Sequence, residues 1–287
     1  MRGERGNINS VKLSNKKILF VANAEKAGAG ELAERLMAAA AKEGAQTRLI
    51  ADPRADCSAF AGADAFCVIG GDGTILSCVP AAVKFGAPIF AVNLGKLGFM
   101  ATFTDSISDE SFADILGGDC AVDSRLLLEA EIGGETFYAL NEFAVKSREQ
   151  TVVNVSVKAN GEFVALFTGD GVIFSTPTGS TAYNMSAGGP LLHPKAKAFA
   201  LTSICPHTLS NRSIIFDDST VIEVICDRPS SIIRDGVPLP LWDGLTPIKI
   251  KSSQKRVNFL RAGGYSHFSI LRTKLGWGEN PRETKNA

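Results

Sequence analysis

Along the first third of the chain, apolar residues come in short unbroken runs separated by stretches where they recur every three or four positions. Lys17 to Asn23, Thr47 to Ile50, Phe66 to Ile69 and Pro88 to Val92 predict buried strands. Between them, Gly30 to Lys42, with Leu32, Leu36 and Met37 on one face, and Thr74 to Lys84 predict helices. Strand and helix in alternation point to a parallel sheet of Rossmann-like α/β type. From about Leu126 the period changes. Leu126 to Ile132 and Thr136 to Leu140 flank Gly133-Gly134, and Val153, Val155 and Val157 alternate with Asn154, Ser156 and Lys158 before Asn160-Gly161 turns the chain into Phe163 to Phe167. Glycine-containing turns between alternating runs are hairpin signals. Short strands follow at Val221 to Cys226, Ser231 to Ile233, Ile248 to Lys251 and Asn258 to Arg261, interrupted by Thr178 to Ala187, whose small and hydroxyl residues suit a loop entering a short helix. Ser266 to Gly276 reads as a final helix.

This pattern divides the chain into a polar tail (1–16), an α/β domain (17–119, joined by 263–287) and a β-rich domain (120–262). At 287 residues, 45% apolar and 21% charged, both domains can bury a core without staples. Thirty basic residues balance thirty acidic ones, so no net field recruits nucleic acid or anionic lipid, and no apolar run reaches the roughly 18 residues of a membrane span. The six cysteines form no C-x-x-C pair and lie mostly among apolar residues, as reduced thiols of a cytoplasmic protein would. The three histidines lack metal-ligand spacing.

Three segments carry chemistry. In Val68-Ile69-Gly70-Gly71-Asp72-Gly73-Thr74-Ile75-Leu76, an apolar strand runs into glycines around one carboxylate and a helix follows. Such a turn lets backbone N–H groups approach phosphate oxygens, although it matches neither the Walker nor the dinucleotide fingerprint. A tight turn with Asp72 as helix cap is the plainer alternative. Gly28 and Gly30 read as helix entry. The second segment, Asn93-Leu94-Gly95-Lys96-Leu97-Gly98-Phe99-Met100, follows a strand, and its Phe99 is either a face for a nucleobase or a core plug. The third runs from Gly169 to Pro190 and sets Asp170 at a strand start ahead of hydroxyls, a tyrosine and a glycine exit, a density of small polar groups that suits a ribose and carboxamide pocket. Asn141-Glu142, at the end of an apolar strand, adds an amide and a carboxylate, or a solvated turn.

In their order and approximate spacing, GGDGT, NLGKLGF, Asn141-Glu142, DGVIFSTPTGSTAYNMSAGGP and CPHTLSNR resemble the NAD kinase family, from about Lys17 to Trp277. GGDGT alone is shared with diacylglycerol and sphingosine kinases, and loosely with phosphofructokinases; the block from Asp170 to Pro190 is the specific part. The resemblance implies a NAD kinase/diacylglycerol kinase-like architecture and phosphorylation of the adenosine ribose 2′-hydroxyl of NAD, with ATP or polyphosphate as donor, to give NADP. It implies Asp72 as general base, with Gly70, Gly71, Gly73 and Thr74 facing the donor's phosphates. NAD would be bound by Asp72, Gly73, Phe99, Asn141, Glu142, Thr168, Asp170, Thr181, Ala182, Tyr183, Asn184, Met185 and Ser186. A divalent cation, Mg²⁺, carried by ATP and assembly as a homodimer or homotetramer are implied as well. The rival readings are a GGDGT lipid kinase and a non-catalytic NAD(H) sensor. Ser77 and Thr168 stand where many members carry a basic residue, Ser213 where Pro is frequent and Val237 where Gln is common; these departures bear on the donor, on NAD against NADH, and on NADPH regulation.

Overall fold

The computed structural model describes residues 11–95, 98–101, 103–118, 120–149, 151–261 and 266–278. In chain order its elements are β1 (Lys17–Ala22), α1 (Ala29–Lys42), β2 (Gln46–Ile50), β3 (Ala65–Ile69), α2 (Asp72–Phe85), β4 (Ile89–Asn93), β5 (Phe103–Thr104) and α3 (Asp109–Gly117). There follow β6 (Ala121–Ile132), β7 (Glu135–Ala139), β8 (Glu142–Ser147), β9 (Val153–Ala159), β10 (Glu162–Gly169), β11 (Gly171–Ser175), α4 (Tyr183–Ser186) and β12 (Ala198–Ile204). The last are β13 (Ile214–Asp217), β14 (Val221–Cys226), β15 (Ser230–Arg234), β16 (Val237–Pro238), β17 (Ile248–Arg261) and α5 (His267–Leu275). The chain forms two compact units, one of residues 1–124 and 258–287, the other of residues 125–257.

The first unit is built on parallel strands in the order β2-β1-β3-β4, with β5 beside β4 and Phe259 paired to Ile89. Ile18, Phe20, Cys67, Ile69, Phe90 and Val92 share a core with Leu32 and Leu36 of α1 and Phe112, Ile115 and Leu116 of α3. The rings of Phe20 and Phe90 lie 6.4 and 5.5 Å from that of Phe112. Leu13, in the expected polar tail, is buried, and Val11 packs on the same core. Because β1 is followed on one side by β2 and on the other by β3, the chain reverses direction across the sheet there. In open parallel sheets, crevices form outside the carboxyl ends of strands at such a point.

The second unit stacks two antiparallel layers. β10-β9-β14 and residues 248–251 of β17 make one; β13-β12-β11-β8-β15-β16 make the other. Val153, Val155, Val157, Ile222, Val224 and Ile250 from the first layer share a core with Phe143, Val145, Val172, Phe174, Phe199 and Ile232 from the second. Period-two burial on β9 matches the alternation in its sequence. Gly133-Gly134, Asn160-Gly161 and Asp235-Gly236 all have positive φ at both residues, the requirement of tight two-residue hairpin turns.

Two expectations change. The predicted strands Ile248 to Lys251 and Asn258 to Arg261 belong to one 14-residue strand, β17: the polar run between them stays extended, with Ser252 and Ser253 buried. Asn141-Glu142 opens a strand rather than ending one, since β7 stops at Ala139 and Glu142 begins β8.

Candidate active-site residues

In the first unit, β3 ends at Ile69 and α2 begins at Asp72, so the whole strand-to-helix turn is Gly70-Gly71. A β-carbon on Gly70, at φ 156°, would stand 2.5 Å from Thr74 Oγ1, and one on Gly71 would stand 3.1 Å from Lys26 Nζ. A side chain is excluded at Gly70, and at Gly71 it would displace the flexible end of Lys26. The cap of α2 is Gly71, not Asp72. The Asp72 carboxylate instead accepts the N–H of Phe99 (3.1 Å) and of Met100 (3.3 Å). A β-carbon on Gly98 would meet Asp72 Oδ1 at 2.3 Å, so this glycine leaves room for the acid. The Met100 carbonyl accepts from the buried Arg261 guanidinium, which is paired with Asp123 at 3.0 Å. The segment from Gly98 to Met100 is thus fixed at both ends, and it holds a half-buried carboxylate at the start of a helix. Phe99 is half-buried. Lys96 and Leu97 of the same motif lie outside the described residues.

A cavity of about 420 Å³ opens beside this turn, lined by Asn23, Lys26, Asp52, Arg54, Gly73, Thr74 and Ser77 among others. It lies at the carboxyl ends of β1 and β2 and the first turn of α2. The amides of a first helical turn carry the positive end of the helix dipole; here the Thr74 N–H is already bonded to the Gly71 carbonyl (2.9 Å), which leaves those of Asp72 and Gly73. The exposed cations Lys26 and Arg54 stand on the same lining, together with the acids Glu25 and Asp52, so the helix terminus and these two cations are the groups there that attract an anion. Neither cation was marked by motif. Lys26 falls in the loop that the sequence presents only as helix entry, and Arg54 reaches the turn by way of β2.

In the second unit, the Asn141-Glu142 turn and the 176–184 segment come together. Thr176 N–H donates to the Asn141 carbonyl (2.9 Å), Thr176 Oγ1 to the Leu140 carbonyl (2.5 Å), and Gly179 N–H to Thr176 Oγ1 (3.0 Å). A β-carbon on Gly179 would sit 2.1 Å from the Asn141 carbonyl oxygen. The Asp170 backbone is just as tightly fitted: a β-carbon on Gly171 would meet the Val145 carbonyl oxygen at 2.0 Å, and one on Gly169 the Ile204 carbonyl oxygen at 2.7 Å. Asp170 is half-buried and takes a hydrogen bond from the exposed Cys205 thiol, which raises that thiol's pKa. Lys146 on the neighbouring strand lies 5.9 Å from the Tyr183 ring centroid.

Glu142 and Asn141 are only 6% and 5% exposed, and Glu142 Oε2 and Asn141 Oδ1 have no hydrogen-bond partner. Burial, and secondarily the charge of Asp235, push the Glu142 carboxyl up to about 8. Asn184 is fully buried; its amide donates to the carbonyls of Pro190 (3.0 Å) and Ser180 (3.5 Å), and its oxygen accepts from Thr202 (2.8 Å). Thr181 and Tyr183, with Ala182 and Met185, are half-buried and Ser186 is exposed. Thr168 donates to Asn154 at 2.6 Å. Among the described residues, no group of three or more His, Cys, Asp or Glu side chains is placed to hold a metal ion. Nor is any described helix long and apolar enough to cross a membrane.

The family model of the ATP-NAD kinase N-terminal domain matches residues 12–120, and that of the ATP-NAD kinase C-terminal domain residues 140–261. The NAD kinase of Lachnoclostridium phytofermentans is 36% identical over 225 residues, covering 73% of this chain and 79% of that protein. That of Acidovorax ebreus is 40% identical over 220 residues, covering 74% of each. Among solved structures, an NAD kinase from Archaeoglobus fulgidus in complex with ATP superposes with a TM-score of 0.78 at 24% identity, covering 92% of this chain and all of that one (100%). Yeast NADH kinase complexed with NADH gives 0.76 at 21% identity, covering 96% and 94%. At these identities the solved structures share the fold.

Proposed function

The chain belongs to the NAD kinase family, and from that membership we propose that it phosphorylates the adenosine ribose 2′-hydroxyl of NAD with ATP to give NADP. The observation that supports this reading most is the setting of Asp72: one carboxylate, held by two backbone amides at the start of α2, beside a glycine turn whose Gly70 admits no side chain. Two amide bonds leave lone pairs on both oxygens to accept a hydroxyl proton.

Phosphoryl transfer requires positioning and charge neutralisation more than covalent participation by the protein. Gly70, Gly71, Gly73 and Thr74 offer the turn and helix terminus to the donor's phosphates, and Lys26 and Arg54 neutralise them in the adjoining cavity. ATP enters as its complex with a divalent cation, Mg²⁺, so the metal arrives as part of the substrate. Asp72 orients the 2′-hydroxyl and takes its proton as the γ-phosphorus–oxygen bond forms and ADP leaves. Asn141, Glu142 and Asp170 accept hydrogen bonds from ribose hydroxyls and the adenine amino group, and the turn from Thr181 to Ser186 lines the remainder of the dinucleotide. Phe99, one peptide beyond the glycine that faces Asp72, is the aromatic of the first unit assigned to NAD.

We place the enzyme in the cytoplasm as a homodimer or homotetramer. Four of the six cysteines, Cys67, Cys78, Cys120 and Cys226, are buried, as suits thiols in a reducing compartment. β10 and β13 end their layers, and Phe163, Leu166 and Ile215 on them are exposed, which favours pairing with a second copy. Incubation with NAD, ATP and Mg²⁺ followed by a dehydrogenase specific for NADP tests the activity; absence of NADP with intact protein contradicts it.

A further inference from the structure

Asp235 has been given no part in substrate binding. It sits with Gly236 at the tip of the β15–β16 hairpin, at φ 47° and 82°, where Arg234 pairs with Val237. A hairpin tip ordinarily presents its polar residue to water. Here the carboxylate turns inward and accepts three consecutive backbone N–H groups, from Leu140 (2.8 Å), Asn141 (2.7 Å) and Glu142 (3.0 Å). Its own N–H donates to the Glu142 carbonyl at 3.1 Å. Closing the hairpin requires none of these three bonds.

Three successive amides converging on one carboxylate fix the backbone of the whole β7–β8 connection. Thr176 holds the carbonyls of the same connection, those of Leu140 and Asn141. The backbone is therefore satisfied in both its donors and its acceptors, whereas Asn141 Oδ1 and Glu142 Oε2 stay buried without partners. Buried acceptors without donors cost free energy that an arriving donor recovers. Holding Asp235 beside Glu142 adds a further cost, because two acids in one low-dielectric region repel each other and both carboxyls are raised by burial. A turn needed only for folding could be closed without that cost.

We propose that Asp235 is a positioning residue for the dinucleotide substrate: by binding the three amides it presets the Asn141-Glu142 turn so that two buried acceptors await the donor groups of the adenosine moiety. The role rests on the reading of this turn as NAD-binding. Preorganisation of this kind lowers the ordering cost of binding. The first partner is a backbone, so the carboxylate's two accepting oxygens matter: an amide in its place turns an N–H₂ toward N–H groups.

The test measures steady-state kinetics of the wild type and of Asp235→Asn with NAD and ATP varied separately. The expected result is an NAD KM raised about 10- to 100-fold, as for weakening a charge-assisted acceptor, with the ATP KM and kcat within about twofold of wild type. Equal NAD KM values in an active wild type and an active variant overturn the role of Asp235 alone. A wild type that forms no NADP overturns the NAD kinase reading and the role together. A general structural role would lower kcat and disturb both substrates alike, which also overturns the proposal. Should the variant fail to fold, amide hydrogen exchange on the wild type decides: the amides of Leu140, Asn141 and Glu142 should already be protected without NAD, and protection gained only on NAD binding overturns preorganisation.

Discussion

The carboxylates of the two units are held in opposite ways. Asp72 is half-buried next to a cavity lined by charges of both signs, Lys26 and Arg54 with Glu25 and Asp52, and each of its oxygens takes one amide. Glu142 is enclosed and keeps an oxygen without any partner, and the half-buried Asp235 beside it accepts three backbone amides. Under the proposed function, the difference follows what each has to meet. Phosphates carry charge and need cations, helix-terminal amides and access for a solvated metal ion. A nucleoside is neutral, carries its own donors, and is selected best by acceptors that water does not reach. On the site assignments proposed above, discrimination between substrates is concentrated in the second unit and reaction chemistry in the first.

The largest expected effect breaks the first half of this comparison. Asp72→Asn should lower kcat by roughly two to four orders of magnitude, in keeping with the loss of a general base, while the NAD Kd changes little. Near-normal turnover would remove Asp72 from the chemistry and leave it as the anchor of Phe99 and Met100.

Next in size is a proton coupled to NAD binding. With the free Glu142 carboxyl at about 8, donors from the ligand must displace its proton to reach the ionised acceptor. NAD affinity should then fall up to about tenfold per pH unit as pH drops from about 8 to about 6, and should level off above 8. Calorimetry in buffers of different ionisation enthalpy reads the released proton directly. Glu142→Gln should flatten the dependence; the same slope in that variant would assign the proton elsewhere.

A smaller effect is expected on stability. The folded-state pKa of Glu142 lies above its value in the unfolded chain, so the folded protein binds the extra proton between about 4.5 and about 8. Its contribution is fully present below the lower value and is lost as pH rises through the upper one. Thermal unfolding of Glu142→Gln should therefore gain on the wild type by a few degrees between about pH 5 and pH 8. A constant difference across that range would mean the carboxyl is ionised in the folded protein.

What the sequence made legible follows the same division. The first unit could be read locally, because glycine at close approach and a strand-to-helix turn are features of consecutive residues. The hairpin turns at Gly133-Gly134 and Asn160-Gly161 were equally plain, since positive φ at both positions restricts the residue types. Less legible was α3, whose signals are a Ser108 side chain accepting the Ser111 N–H, two acids in its first turn and Gly118 past its end. The continuity of β17 was hidden by a polar middle. The role of Asp235 lies beyond local patterns altogether: Asp-Gly announces a turn, but its carboxylate's partners are some 94 residues away along the chain. Arg54 and Lys26 are likewise united only by the parallel sheet that brings the ends of β1 and β2 to one cavity.

The division of labour between the units is tested most directly by measuring KM for both substrates in two variants, Lys26→Ala with Arg54→Ala and Glu142→Ala. The account predicts a crossed result: the first raises the ATP KM several-fold, more so at low salt, and leaves the NAD KM near wild type, while the second does the reverse. If the cation variant chiefly weakens NAD, or Glu142→Ala chiefly weakens ATP, the two nucleotides have been assigned to the wrong units.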